Sequence, residues 1–96
     1  LEEMAEDRAD CSWMEEYEEY SNIVPGEVQE MEVNGRTVYW VANTFDFDGD
    51  MHFADYYGWT QVGNILFEIE MNNYGSDALT ADESLLQEAF ENVVLN

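Results

Sequence analysis

Residues 28–41 read Val-Gln-Glu-Met-Glu-Val-Asn-Gly-Arg-Thr-Val-Tyr-Trp-Val, and this stretch predicts a β-hairpin. Asn34-Gly35 between two alternating apolar runs favours a type I′ turn, because both residues tolerate the positive φ that the turn requires. Residues 28–33 form the first predicted strand, and residues 36–45, rich in β-branched and aromatic side chains, form the second. Both faces of the second strand are apolar at its centre, which predicts a middle strand covered on both sides.

Two more strands follow the hairpin. Residues 46–50 (Asp-Phe-Asp-Gly-Asp) and Val62-Gly63-Asn64 carry the residues that turns select, and they bound predicted strands at residues 51–59 and 65–71. In each strand, apolar side chains recur at every second position, so that one face is apolar. In the first strand, Met51, Phe53, Tyr57 and Trp59 share one face. In the second, the side chains predicted to point inward are Ile65, Phe67, Ile69 and Met71.

Helices are predicted at both ends of the chain. Residues 1–20 contain neither Gly nor Pro and are rich in good helix formers, and residues 72–77 are expected to form a loop. Thr80-Ala81-Asp82-Glu83 is a capping box that starts a helix running to about residue 93. The fold class is therefore α+β: an N-terminal helix, a four-stranded antiparallel meander sheet, and a C-terminal helix packed on the sheet, in one small domain spanning residues 1–96. The buried stripe of the second helix is predicted to be Leu85, Leu86, Ala89, Phe90 and Val93.

The composition of the chain argues against two classes of protein, nucleic-acid-binding proteins and proteins with a membrane-spanning helix. Its 96 residues include 23 acids, two arginines, no lysine and one histidine, for a net charge of −21. Two arginines cannot form the basic patch that phosphates require, so we expect no direct nucleic-acid binding. No apolar run approaches the roughly 18 residues of a membrane-spanning helix. The one cysteine, Cys11, excludes an internal disulfide.

The acids near the N-terminus suggest a protein partner. Residues 2–19 carry nine acids against Arg8; as one helix, they would place a net charge of −8 along roughly 27 Å, close to the phosphate spacing of a DNA strand. Averaged over the expected surface, one net charge falls on roughly 270 Å², against roughly 110 Å² for DNA. A solubilising surface, a docking surface for a basic protein partner, and a nucleic-acid mimic all remain open. The candidate partner-binding residues are Glu15, Glu16, Glu18, Glu19, Trp13 and Tyr17.

One acidic turn is a candidate metal site. Asp46, Asp48 and Asp50 have the alternate spacing with which calcium loops begin, although Gly49 stands at position 4 and Tyr57 at position 12, where an EF-hand needs other residues. The alternative is an ordinary solvated turn. We expect no other cofactor.

The reactive side chains do not form a catalytic motif. His52 lacks companion metal ligands in the sequence, and Cys11 lies among acids that should raise the pKa of its thiol. The sequence contains no phosphate-binding loop, no zinc-protease motif and no nucleophile elbow. The sequence therefore predicts a non-enzymatic protein with no catalytic residue.

Three segments of the chain form a pattern known from another family. They are the hairpin Val-Asn-Gly-Arg-Thr-Val-Tyr-Trp-Val at residues 33–41, the strands around Tyr56-Tyr57 and residues 65–69, and the sequence Leu-Leu-x-x-Ala-Phe-x-x-Val at residues 85–93. Together they resemble the C-terminal part of PsbP/Mog1-like domains of bacterial envelope lipoproteins. The resemblance implies a sheet with a terminal helix and a binding or accessory role outside the cytoplasm, with a lipid anchor upstream of Leu1. The alternative is an acidic inhibitor or immunity-type protein that neutralises a basic partner in the cytoplasm.

Overall fold

The hairpin at Asn34-Gly35 forms as predicted. A computed structural model describes residues 2–74 and 83–94 of the protein. Asn34 has a φ of 50° and Gly35 a φ of 81°, as a type I′ turn requires. The strands are β1 (Tyr20–Val24), β2 (Gln29–Val33), β3 (Arg36–Phe47), β4 (Met51–Val62) and β5 (Ile65–Tyr74), and the helices are α1 (Glu2–Ala9), a 3₁₀ helix (Ser12–Glu16) and α2 (Glu83–Val93).

The five strands make one antiparallel sheet in the order β1-β3-β4-β5. Strands β2 to β5 form the predicted meander, and β2 lies beside the first half of β3, from Val33 opposite Arg36 to Gln29 opposite Trp40. Strand β1 pairs with the second half of the same edge, where Tyr20 lies opposite Phe47. The fold is α+β with helices at both ends, and the prediction of four strands is wrong by one, because β1 had been assigned to the first helix and the break after it.

The predicted helix over residues 1–20 is wrong beyond its first half. Helix α1 ends at Ala9, and just beyond it the Asp10 carboxylate accepts a hydrogen bond from the Ser12 backbone N–H at 3.0 Å. Such side-chain bonds compete with helical ones. The eight-residue α1 is only about 12 Å long, so the charged rod of roughly 27 Å does not form. By leaving the helix, the chain places the ring of Tyr20 against Phe45 and Phe47.

Helix α2 packs on one side of the sheet, which we call the α2 face. Leu86 and Phe90 are fully buried in a cluster with Met31, Val33 and Val38. The helix lies close to β4 at Gly58, where an added Cβ atom would stand 2.7 Å from Cε2 of Phe90. Leu85, predicted to be buried, is 47% exposed, and the capping residue Thr80 lies outside the described residues.

Helix α1 and the 3₁₀ helix cover the opposite side, the α1 face. Ala5 packs on Val41 and Trp59, and farther along the sheet Cys11 and Met14 pack on Phe45. Buried Asn43 fixes this layer: its side-chain N–H donates to the Arg8 carbonyl at 2.7 Å, and its Oδ1 accepts the Gly26 backbone N–H at 2.9 Å. The sheet therefore has one helical layer on each face, and the two layers cover different parts of it.

Candidate functional site

Seven aromatic rings lie together on the α1 face, at the end of the sheet next to the β3–β4 turn. Each ring has its centroid within 6.5 Å of another ring of the group. Three of them are strongly exposed: Trp13 by 50%, Tyr17 by 52% and Tyr74 by 70%. A contiguous exposed apolar patch of this kind marks interaction sites on small proteins. We call this group the aromatic surface; its members are Trp13, Tyr17, Tyr20, Phe45, Phe47, Phe53 and Tyr74.

The strand register brings these rings together. Phe53 on β4 lies between Phe45 on β3 and Tyr74 on β5, so that one row across the sheet is aromatic. The next row on the same face is polar, with Asp55 directly opposite Asn43 on one side and Asn72 on the other. Side chains two positions apart on a strand share a face, and therefore an aromatic row and a polar row lie side by side.

A cleft of about 290 Å³ opens where these rows meet. The rings of Phe45 and Phe53 stack at 5.3 Å with an interplanar angle of 12°, and Phe47 stands at 86° to Phe53. The cleft is thus bordered by aromatic rings that are held in both parallel and perpendicular orientations to one another. We call it the aromatic cleft; its lining residues are Tyr20, Phe45, Phe47, Phe53, Asp55 and Asn72.

Asp55 supplies the negative charge of the aromatic cleft. Partial burial raises the pKa of its carboxyl, and the nearby Glu70 charge raises it further, against a hydrogen bond at 3.4 Å from the Tyr57 hydroxyl. Burial, together with the Asp55 charge, also raises the pKa of Tyr57 to about 12. Among the described ion pairs, none involves Asp55. The cleft therefore carries a carboxylate without an ion-pair partner among residues 2–74 and 83–94.

The predicted partner-binding residues fall on or beside the aromatic surface. Trp13 and Tyr17 are members of it, and Trp13 contacts Tyr20 with ring centroids 5.5 Å apart. Glu15 and Glu16 belong to the 3₁₀ helix, and Glu18 and Glu19 follow it; all four are exposed. The structure thus brings the six predicted residues into one region with exposed rings and exposed carboxylates.

The three aspartates of the predicted calcium site do not converge in the described structure. Asp46 lies on the α2 face, where its carboxylate accepts hydrogen bonds from Nδ2 of Asn22 at 2.7 Å and from His52. These bonds lower the pKa of Asp46. Asp48 and Asp50 lie exposed in the β3–β4 turn. Residues 2–74 and 83–94 contain no group of three or more His, Cys, Asp or Glu side chains placed to hold a metal ion, and calcium binding stays a prediction.

The pKa of the Cys11 thiol is raised, as the sequence predicted. It is buried against Met14 and Phe45, and burial raises the pKa of its thiol, with further contributions from Asp10 and Asp55. A buried thiol of raised pKa has little thiolate at neutral pH and is a poor nucleophile.

Sequence reasoning missed the aromatic cleft, although one signal for it was present. Along β4, the apolar positions Phe53, Tyr57 and Trp59 share a face, and Asp55 is the single acid at the same parity. An acidic residue on the otherwise apolar face of a strand has an unfavourable environment for its charge, and such residues are found at functional sites. The contribution of Tyr20 had no such signal, because it depends on β1 pairing with β3.

No family model, curated protein or solved structure matches this chain. Within the described ranges, no helix has both the length and the apolar character needed to cross a membrane.

Proposed function

We propose that this chain is a non-enzymatic binding protein that docks a basic protein partner through the aromatic surface. The observation that carries the proposal is the position of the exposed rings of Trp13, Tyr17 and Tyr74 beside a carboxylate-bearing cleft, in a chain of net charge −21. An accessory role outside the cytoplasm, in the bacterial cell envelope, is supported by the resemblance to PsbP/Mog1-like domains alone.

The two parts of this surface would contribute differently to binding. Tyr and Trp are enriched among the residues that dominate interface energies, because a rigid ring gives a large contact area at a small entropic cost. The exposed carboxylates of the 3₁₀ helix region, from Glu15 to Glu19, would attract a positively charged partner and raise its association rate.

The surface charge of this protein is too sparse for a mimic of nucleic acid. The protein's exposed area of 6055 Å², shared among 21 net negative charges, gives about 290 Å² for each charge, against roughly 110 Å² on double-stranded DNA. The continuous helical rod that would have matched the phosphate spacing is replaced by the short α1 and the 3₁₀ helix.

Calorimetric titration with a short synthetic peptide, in which arginine alternates with alanine, tests the proposal. We expect binding at low salt that weakens strongly as salt is added, because the Debye length falls from about 30 Å at 0.01 M to about 3 Å at 1 M. A triple variant, Glu15→Gln with Glu18→Gln and Glu19→Gln, should weaken binding by about tenfold or more.

A charge-matched variant separates a local surface from the overall charge. Three other glutamates, Glu27, Glu30 and Glu32, are exposed. Glu30 and Glu32 lie on β2, which pairs with the half of β3 that is farther from the aromatic surface. Replacing these three with Gln changes the net charge equally and should leave most of the affinity intact. Equal losses in the two triple variants, or no binding at low salt, would overturn the proposed function.

A further inference from the structure

We propose that the aromatic cleft receives the guanidinium group of an arginine side chain of the partner. This inference rests on the proposed function and names the chemical group that the cleft selects. It is carried by three observations: the lack of a side-chain cation paired with Asp55 in the described part of the chain, the arrangement of the rings, and the polar groups at one wall of the cleft.

The chain itself supplies no side-chain cation to Asp55. The chain has three side chains able to carry positive charge. Arg8 pairs with carboxylates of β5 at 3.6 and 3.7 Å, and His52 pairs with Asp46 on the opposite face of the sheet. Arg36 begins β3, so that it lies about 30 Å along the strand from the cleft. Arg8 lies over the Tyr57 ring and lines a pocket with Asp55, but its ion pairs are with Glu68 and Glu70. We therefore expect a side-chain cation in the aromatic cleft to come from another molecule.

The rings favour a flat, weakly hydrated cation. Phe45 and Phe53 are nearly parallel, whereas Phe47 and Tyr20 stand at steep angles to them, 86° from Phe53 and 68° from Phe45. The π-face of an aromatic ring attracts cations. A guanidinium is planar, stacks on aromatic faces and gives up its hydration more readily than an ammonium group, and for this reason an apolar cleft discriminates against lysine.

The polar row supplies the matching acceptors. Asp55 and Asn72 lie directly opposite each other on β4 and β5, and both line the cleft. A carboxylate accepts two parallel N–H bonds from a guanidinium, and the side-chain carbonyl of an asparagine can accept one more. A cation seated there would also neutralise a carboxylate that is partly buried beside Glu70.

The first experiment compares two small cations of equal charge, butylguanidinium and butylammonium, by NMR titration. We expect butylguanidinium to shift the ring resonances of Phe45, Phe47 and Phe53 and to bind several-fold more tightly than butylammonium. Asp55→Asn should weaken binding by about tenfold, the loss of a charge-assisted hydrogen bond. The control is Glu30→Gln on β2, which changes the net charge equally and lies away from the cleft; amide spectra establish that both variants fold.

Equal affinity for the two cations, equal effects of Asp55→Asn and Glu30→Gln, or shifts confined to residues outside the cleft would overturn the inference. A second experiment distinguishes a failure of arginine selection from a failure of the proposed function. The alternating peptide is prepared in an arginine form and a lysine form. Tighter binding of the arginine form, lost in Asp55→Asn, supports both proposals. Equal binding of both forms, weakened by the Glu15, Glu18 and Glu19 substitutions, supports docking and overturns arginine selection. If neither form binds at low salt, the proposed function itself fails.

Discussion

At the scale of a single residue, the ionised form of Asp55 lowers the stability of the folded protein. Its carboxyl belongs to the polar row of the α1 face, next to the aromatic row, where partial burial and the Glu70 charge both disfavour ionisation. In the folded protein the pKa is raised from the ordinary value of 3.8. The folded state therefore binds this proton more tightly than the unfolded state does. Asp55 favours folding most below pH 3.8, and this contribution is lost as the pH rises from 3.8 through the raised folded pKa.

We predict that Asp55→Asn stabilises the protein at neutral pH. The amide is close in shape to the carboxyl and carries no charge to desolvate, and its carbonyl can still accept the bond from the Tyr57 hydroxyl. Thermal unfolding followed by circular dichroism should give a melting temperature a few degrees above that of the unsubstituted protein at pH 7. The difference should shrink toward zero near pH 3, where both side chains are neutral.

The control for this prediction is Asp10→Asn. The Asp10 carboxylate accepts hydrogen bonds from Ser12, which lower its pKa, so that its charged form favours folding above pH 3.8. The difference curve for Asp10→Asn should therefore slope against pH in the opposite direction. Two curves of the same slope would show that the overall charge, rather than the surroundings of each carboxyl, governs the effect.

At the scale of an element, the docking of α2 depends on a glycine in the sheet. Phe90 and Leu86 project from α2 onto β4, and both would lie within 3.1 Å of a Cβ atom added at Gly58. Both side chains are fully buried, so that neither can move into open space. The ring of Phe90 fills the volume that a side chain at position 58 would otherwise occupy. The absence of a side chain at Gly58 thus sets how closely the helix approaches the sheet.

We predict that Gly58→Ala destabilises the protein by about 2 kcal/mol, the typical cost of overpacking a filled core. In an unobstructed strand, the same substitution would stabilise by about 0.5–1 kcal/mol, because glycine loses more backbone entropy on folding. A lower urea-unfolding midpoint for Gly58→Ala would support overpacking against α2, and a higher midpoint would contradict it.

Phe90→Leu in the Gly58→Ala background provides the matched test of α2 packing. Removing ring atoms should recover part of the loss, so that the two changes are non-additive in a double-mutant cycle. Strict additivity, or a stabilising Gly58→Ala, would contradict the close packing of α2 on Gly58.

At the scale of the whole molecule, repulsion among the acids opposes folding. A net charge of −21 is carried on a body whose extents are 42, 26 and 17 Å. At 0.01 M salt the Debye length of about 30 Å is comparable to these dimensions, so that most of the acids repel one another. The described ion pairs of Arg8, with Glu68 and Glu70, are at the surface and offset little of this repulsion.

We predict that the melting temperature rises steadily with sodium chloride from 0.01 to 0.5 M. Screening reduces repulsion in the compact state more than in the expanded unfolded chain. Replacing Glu27, Glu30 and Glu32 with Gln should raise the melting temperature at low salt and reduce its slope against salt. A melting temperature that does not change with salt would contradict the view that repulsion limits stability.

The sequence determined the parts of the fold that depend on local patterns. Asn34-Gly35 fixed the hairpin, because few other residue pairs adopt positive φ twice in succession. Alternation placed β3, β4 and β5 within a few residues of their observed ends, and helical spacing identified Leu86 and Phe90 as buried. For the site, composition indicated an acidic surface, and the role of Trp13 and Tyr17 in partner binding stays a prediction.

Only the tertiary structure decided where the first helix ends and where the aromatic rings meet. Residues 1–20 contain neither Gly nor Pro, yet Tyr20 pairs with β3 and packs its ring against Phe45 and Phe47. This contact joins residues more than twenty positions apart, and no local pattern encodes it. Likewise, the aromatic cleft exists because the register of three strands sets Phe53 beside Phe45 and Asp55 beside Asn72. Packing between distant segments outweighed local propensity, since burial of large rings stabilises by more than the small differences in helix propensity.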